Sequence, residues 1–209
     1  MEQPLKPSLA AAVAIWAAGW TLGAILLVFA GTTVDVKAPA VAVLTAVLVG
    51  LPAFAAPNYV ATRMFGGRRP VLEALIWLGG FVVMWGVYAW VNVPPALNIN
   101  TTETMRARQE YFRHHRIPPE TLMALRSIAI YALVAGFASG VLNGSRAGWL
   151  GRLGHGVAFG AIVLASFAAA GYVFAILGST MILLLVSPAI AGAVVGAGIT
   201  LGRRALWGV

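Results

Sequence analysis

Cysteine is absent from the 209-residue chain, which removes disulfides, thiolate metal sites and thiol nucleophiles from consideration. Charge is scarce too. Asp and Glu number 6 and Lys and Arg 14, so only 10% of residues are charged, against about 25% in a soluble domain. So few charges cannot cover a water-facing surface, and an ordinary soluble enzyme, a disordered chain and a nucleic-acid-binding domain are excluded. What the chain has in excess is apolar: 60% of residues are hydrophobic and the mean hydropathy is +0.88. The composition is that of a polytopic membrane protein.

Stretches free of Asp, Glu, Lys, Arg and His run over 7–34, 38–62, 74–102, 127–145 and 156–202. A spanning helix needs roughly 20 apolar residues at a rise of about 1.5 Å. The first four stretches hold one helix each. The last would be about 70 Å long as a single helix, so it must fold back, and Gly178-Ser179-Thr180 is the flexible polar break near its middle. The expected architecture is all-α: one integral membrane domain over 1–209, with six transmembrane helices near 8–30, 39–59, 72–93, 122–143, 156–177 and 181–201. The alternating pattern of a barrel strand is missing. The first apolar run is longer than the core of a signal peptide and is read as a retained helix.

Lys and Arg set the expected orientation. With the N-terminus inside, the inner segments carry Lys6, Arg63, Arg68, Arg69, Arg146, Arg152, Arg203 and Arg204. The outer side carries Lys37, Arg106, Arg108, Arg113, Arg116 and Arg126, nearly all in one loop. Both termini are therefore expected in the cytoplasm of a bacterium, the protein lying in its inner membrane. The +8 charge is read as anchoring helix ends at anionic lipid.

The polar loop over about 94–121 opens with Pro94-Pro95, which stop the third helix. Asn100-Thr101-Thr102-Glu103 has the pattern of a helix start, and a short amphipathic interfacial helix is expected after it. Arg106, Arg108, Arg113, His114, His115 and Arg116 make this an interfacial or docking surface. Adjacent histidines point about 100° apart on a helix and are flanked by arginines, so no metal site is expected there.

Inside the expected spans, charge is again what is missing. Glu73 and Arg126 lie at helix starts, and His155 lies at the edge of a span. Haem ligation, ion-coupled pumping and retinal chemistry all need more than this. Small residues, by contrast, recur at four-residue spacing: Gly19 and Gly23; Gly136, Gly140 and Gly144; Gly156 and Gly160; Gly192 and Gly196. Such faces let helix backbones approach closely in lipid. Trp16 and Trp20 in the first span, and Trp77, Phe81, Trp85 and Tyr88 in the third, form aromatic stripes that either pack on those glycines or line a groove for lipid, quinone or carotenoid. Pro52, Pro57 and Pro188 predict local kinks.

Two resemblances fail on their own residues. Ser187-Pro188-Ala189 is similar to one aquaporin turn, but the chain contains no Asn-Pro-Ala at all. Phe137-Ala138-Ser139-Gly140 with Gly154-His155-Gly156 resembles a rhomboid protease, yet the first glycine of the serine motif is missing. A base, nucleophile or metal cannot be assembled, so no enzyme is expected. The leading expectation is an accessory or scaffold subunit of a larger inner-membrane complex, with other membrane subunits and lipids as partners and no nucleic acid. The alternative is a passive channel or transporter for a neutral or amphiphilic solute, using polar groups such as Asn58, Ser139, Asn143, Ser166 and Ser187.

Overall fold

A computed structural model describes residues 8–33, 39–67, 69–92, 126–144, 148–177 and 183–208. They form six helical rods, and every regular element among them is helical. We label the rods α1 (Leu9–Thr33), α2 (39–64), α3 (Pro70–Asn92), α4 (Arg126–Asn143), α5 (Trp149–Leu177) and α6 (Leu183–Trp207). Five of them, all but α3, are long and apolar enough to cross a membrane. The described apolar stretch of α3, Pro70–Gly86, is shorter. This is a multi-pass membrane bundle.

Local chemistry explains the ends of the rods. Ser8 Oγ accepts the Ala11 amide at 3.1 Å and caps α1. Prolines open α2 and α3, where the missing N–H costs no intrahelical bond. α2 closes on a paired C-terminal motif: the Gly67 amide donates to the Thr62 carbonyl at 2.8 Å and the Gly66 amide to that of Arg63 at 3.1 Å. Gly66 adopts φ 71°, a left-handed conformation that suits glycine. This tight turn brings the last turn of α2 level with the first turn of α3.

Two rods are interrupted by π-helical turns, Leu51–Ala55 in α2 and Ala132–Gly136 in α4. Pro52 lies at the start of the first and Pro57 two residues after its end, and each lacks an N–H to donate and crowds the turn before it. A π-turn adds one residue to a helix and shifts every later side chain by about 100° around the axis. In both rods the shift serves the same end, since Asn58 and Thr62 in α2, and Ser139 and Asn143 in α4, follow their π-turns by the same number of residues.

Each rod packs on its neighbours in the chain, and α6 packs back on α1, closing a ring. The glycine faces form several of these seams. A Cβ at Gly136 would meet the Cα of Gly160 at 2.9 Å, and one at Gly140 would meet the His155 carbonyl oxygen at 2.5 Å and the Cα of Gly156 at 2.7 Å. Gly144 approaches Arg152 and His155 in the same seam between α4 and α5. Gly19 lies on Pro52 and Pro57, and Gly23 on Ala53, joining α1 to α2. Gly192 and Gly196 receive Trp16 and Trp20, joining α6 to α1.

Several rods exceed their expected limits. α2 continues to Met64, α5 begins at Trp149 and α6 runs on to Trp207. The expected limits were drawn inside the charge-free stretches, whereas Arg63, Arg152, His155, Arg203 and Arg204 are all carried on helix. The 94–121 loop, with its arginines and histidines, and the Gly178-Ser179-Thr180 break lie outside the described residues.

A candidate functional site inside the helix ring

The centre of the ring holds two stacked levels. The lower level is polar. Glu73, in the first turn of α3, and Arg203, near the end of α6, form an ion pair between helices on opposite sides of the ring. Their relative exposures are 1% and 3%, so the pair is sealed from its surroundings. Each charge has its own escort. The Glu73 carboxylate accepts from Ser139 Oγ at 2.6 Å and from Asn143 Nδ2 at 3.1 Å, both on α4. The Arg203 guanidinium donates to Asn58 Oδ1 at 2.6 Å and Thr62 Oγ1 at 3.1 Å, both on α2.

Helix geometry places these charges well. The Glu73 carboxylate, in the first turn of its helix, complements the helix dipole, and Arg203 lies just before the last turn of α6. The chain alternates direction through the ring, so the start of α3 and the ends of α2, α4 and α6 meet at one end. Even so, ion pairs taken out of water return little net stability, and a well-packed apolar replacement often does as well. Stability alone is a poor reason for this one.

The upper level is aromatic and lies four helical residues, about 6 Å, further in. Trp77 follows Glu73 by four residues on α3, and Phe54 precedes Asn58 by four on α2. Trp16 meets Trp77 edge-on with ring centroids 5.5 Å apart, and Trp77 meets Tyr131 at 5.9 Å. Phe54 reaches Tyr131 at 5.0 Å and stacks at 6.0 Å on Phe167 of α5, across the ring. Trp20 touches both Phe54 and Phe167. Such edge-to-face pairs contribute about 0.5–1.5 kcal/mol each beyond their burial.

The two levels differ in how well they are satisfied. Every oxygen of the Glu73 carboxylate has a donor. In the aromatic level, Trp16 Nε1, Trp20 Nε1, Trp77 Nε1 and Tyr131 Oη are buried with no hydrogen-bond partner among the described residues. Asn58 Nδ2 and Arg203 Nε share that condition at the junction of the levels. An unmet buried donor costs about 1–3 kcal/mol, so several in one cluster are a considerable standing cost.

Of the aromatic stripes named from sequence, Trp16, Trp20, Trp77 and Phe81 meet in this cluster, and Trp85 joins its edge against Phe81 at 6.3 Å. Tyr88 is on α3, but its side chain is outside the described residues. Of the polar groups, Asn58, Ser139 and Asn143 converge on the ion pair, whereas Ser166 Oγ donates to its own helix at the Ile162 carbonyl, 2.7 Å away. Ser187 is buried apart from the pair. Sequence reasoning missed the pairing itself. Arg203 was counted among the arginines anchoring helix ends at lipid, and its burial corrects that reading: the side chain turns into the ring to meet a carboxylate. The available signal was that Glu73 is the sole acidic residue between Asp35 and Glu103. His155 stays outside the layer, its Nδ1 2.8 Å from the Gly151 carbonyl and its ring near Trp207.

Among the described residues no group of His, Cys, Asp and Glu is arranged to hold a metal ion. Compared with known proteins, the chain matches no family model, no curated protein and no solved structure.

Proposed function

We propose that the chain is a six-span channel or carrier for a small neutral or amphiphilic solute, with the Glu73–Arg203 layer as its gate. The observation that carries this reading is the placement of the pair. It crosses the ring from α3 to α6 and blocks the axis along which a solute would pass. Ionisable residues within a helix bundle in lipid are expensive and mark substrate or ion paths more often than they mark scaffolding. The two π-turns support the same reading, since such turns favour functional sites and both lie just before the polar pairs. The Lys and Arg distribution orients the gate toward the cytoplasm of a bacterial inner membrane, with both termini on that side. No reaction is assigned to the chain.

The test is solute entry into proteoliposomes, followed by stopped-flow light scattering over a panel of small uncharged solutes. The expected result is entry of at least one solute above that into protein-free vesicles, altered by Asn58→Ala or Ser139→Ala. Rates equal to empty vesicles across the panel would remove the proposal.

A second reading, an accessory subunit of a larger membrane complex, has one observation of its own. Gly79 and Gly86 on α3 face open space beside the exposed Leu72, Leu75 and Val83. A small-residue face directed out of the ring is what a neighbouring membrane helix packs against. Stoichiometric co-purification of other subunits in mild detergent would favour this reading, and a monodisperse single species would dismiss it.

A further inference from the structure

We infer that the aromatic level is a binding site for a neutral, largely apolar solute that carries a hydrogen-bond acceptor, as an aromatic or conjugated carbonyl compound does. The inference rests on the transport reading and names the class of solute that reading leaves open.

Trp16, Trp77 and Tyr131 are fully buried, their rings touch in sequence, and each presents a donor without a partner among the described residues. Trp20 Nε1, one turn from Trp16, is a fourth. An indole N–H can only donate, and a phenol hydroxyl donates readily. The nearby carboxylate of Glu73 is engaged by Ser139, Asn143 and Arg203 rather than by these rings. The interior at this level is therefore rich in donors and poor in acceptors.

That imbalance selects among solutes. A pure hydrocarbon would leave the donors as they are. A solute rich in hydroxyls would bring further donors into a place without acceptors for them. A flat apolar body with one or two carbonyl oxygens fits both features, stacking on the rings and accepting from the N–H and O–H groups. Phe54 lies within one π-turn and Tyr131 immediately precedes the other, so these two rings, 5.0 Å apart, sit at the irregular parts of their helices.

The experiment uses the full chain in lipid nanodiscs and a matched pair of probes, acetophenone and ethylbenzene, similar in size and differing in the acceptor. Binding is read by equilibrium dialysis against protein-free nanodiscs, and the hydrogen-bonding state of the indoles by ultraviolet resonance Raman. Saturable acetophenone binding about tenfold tighter than ethylbenzene, the ratio one hydrogen bond supplies, is expected, with a shift of the indole N–H marker band. Tyr131→Phe, which keeps the ring, and Trp77→Phe should each reduce that preference several-fold. Equal binding of the two probes, or an unshifted marker band because the N–H groups already donate to neighbouring ring faces, would overturn the inference. Acceptor-dependent binding without facilitated flux would leave the site standing and remove the transport reading. Flux without acceptor preference would do the reverse.

Discussion

The polar layer and the aromatic level are neighbours one helical turn apart, yet they are built on opposite principles. In the layer, Glu73 and Arg203 are held by four neutral side chains from two helices, and loss of any one leaves a buried charge under-solvated. In the aromatic level, ring packing is dense while Trp16, Trp77 and Tyr131 keep donors without partners. One region meets its carboxylate fully and leaves only Asn58 Nδ2 and Arg203 Nε without partners among the described residues, and the other is well packed but short of acceptors. The contrast teaches that polar chemistry in this bundle is concentrated where it locks the ring, and withheld where a solute could supply it.

Removing one half of the lock should have the largest effect. Arg203→Met leaves the Glu73 carboxylate buried without its counter-charge, and a loss of about 3–5 kcal/mol is expected. The double variant E73M/R203M should recover most of it, because no uncompensated charge remains. Reversible unfolding in detergent would show both. A double variant no better than the single one would mean that the pair acts as a structural element in its own right.

Next comes the seam that holds α4 beside α5. Gly140→Ala places a methyl 2.5 Å from the His155 carbonyl oxygen and 2.7 Å from the Gly156 Cα. These are backbone atoms that cannot rotate away, so the rods must separate, at about 1–3 kcal/mol. The same substitution at Gly79, which faces open space, should be neutral or slightly stabilising. That pair of variants distinguishes an intramolecular glycine face from an outward one.

Ser139→Ala removes one of the donors to Glu73 Oε1 and should cost about 1–2 kcal/mol. Tyr131→Phe should cost the least. Its hydroxyl is buried without a partner, so its removal is expected to be neutral or stabilising by up to about 1 kcal/mol. Thermal unfolding of these two variants side by side tests the contrast between the levels, and a Tyr131→Phe loss as large as that of Ser139→Ala would erase it.

Much of the architecture could be read from the chain. Charge-free stretches marked the helical rods, and glycines at four-residue spacing lie at the α4–α5, α1–α2 and α6–α1 seams. The site was only partly legible, for two physical reasons. A π-turn displaces the face of everything after it by about 100°, so Asn58 and Thr62, or Ser139 and Asn143, could not be assigned to a face from periodicity. Arg203 and Glu73 are far apart in sequence and meet only because α6 returns to α1 and closes the ring. Read alone, a terminal arginine on an apolar helix is a lipid anchor, and nothing local to it says that it turns inward.

The most direct test of the gate is solute flux through E73A/R203A in proteoliposomes, compared with the wild-type chain at equal amounts of folded protein. Both crossing side chains are gone in this variant and no buried charge is left unpaired. Faster entry of the transported solute, by at least about tenfold, is expected. Entry no faster than through the wild-type chain, with the variant folded, would contradict the claim that this ion pair closes the ring.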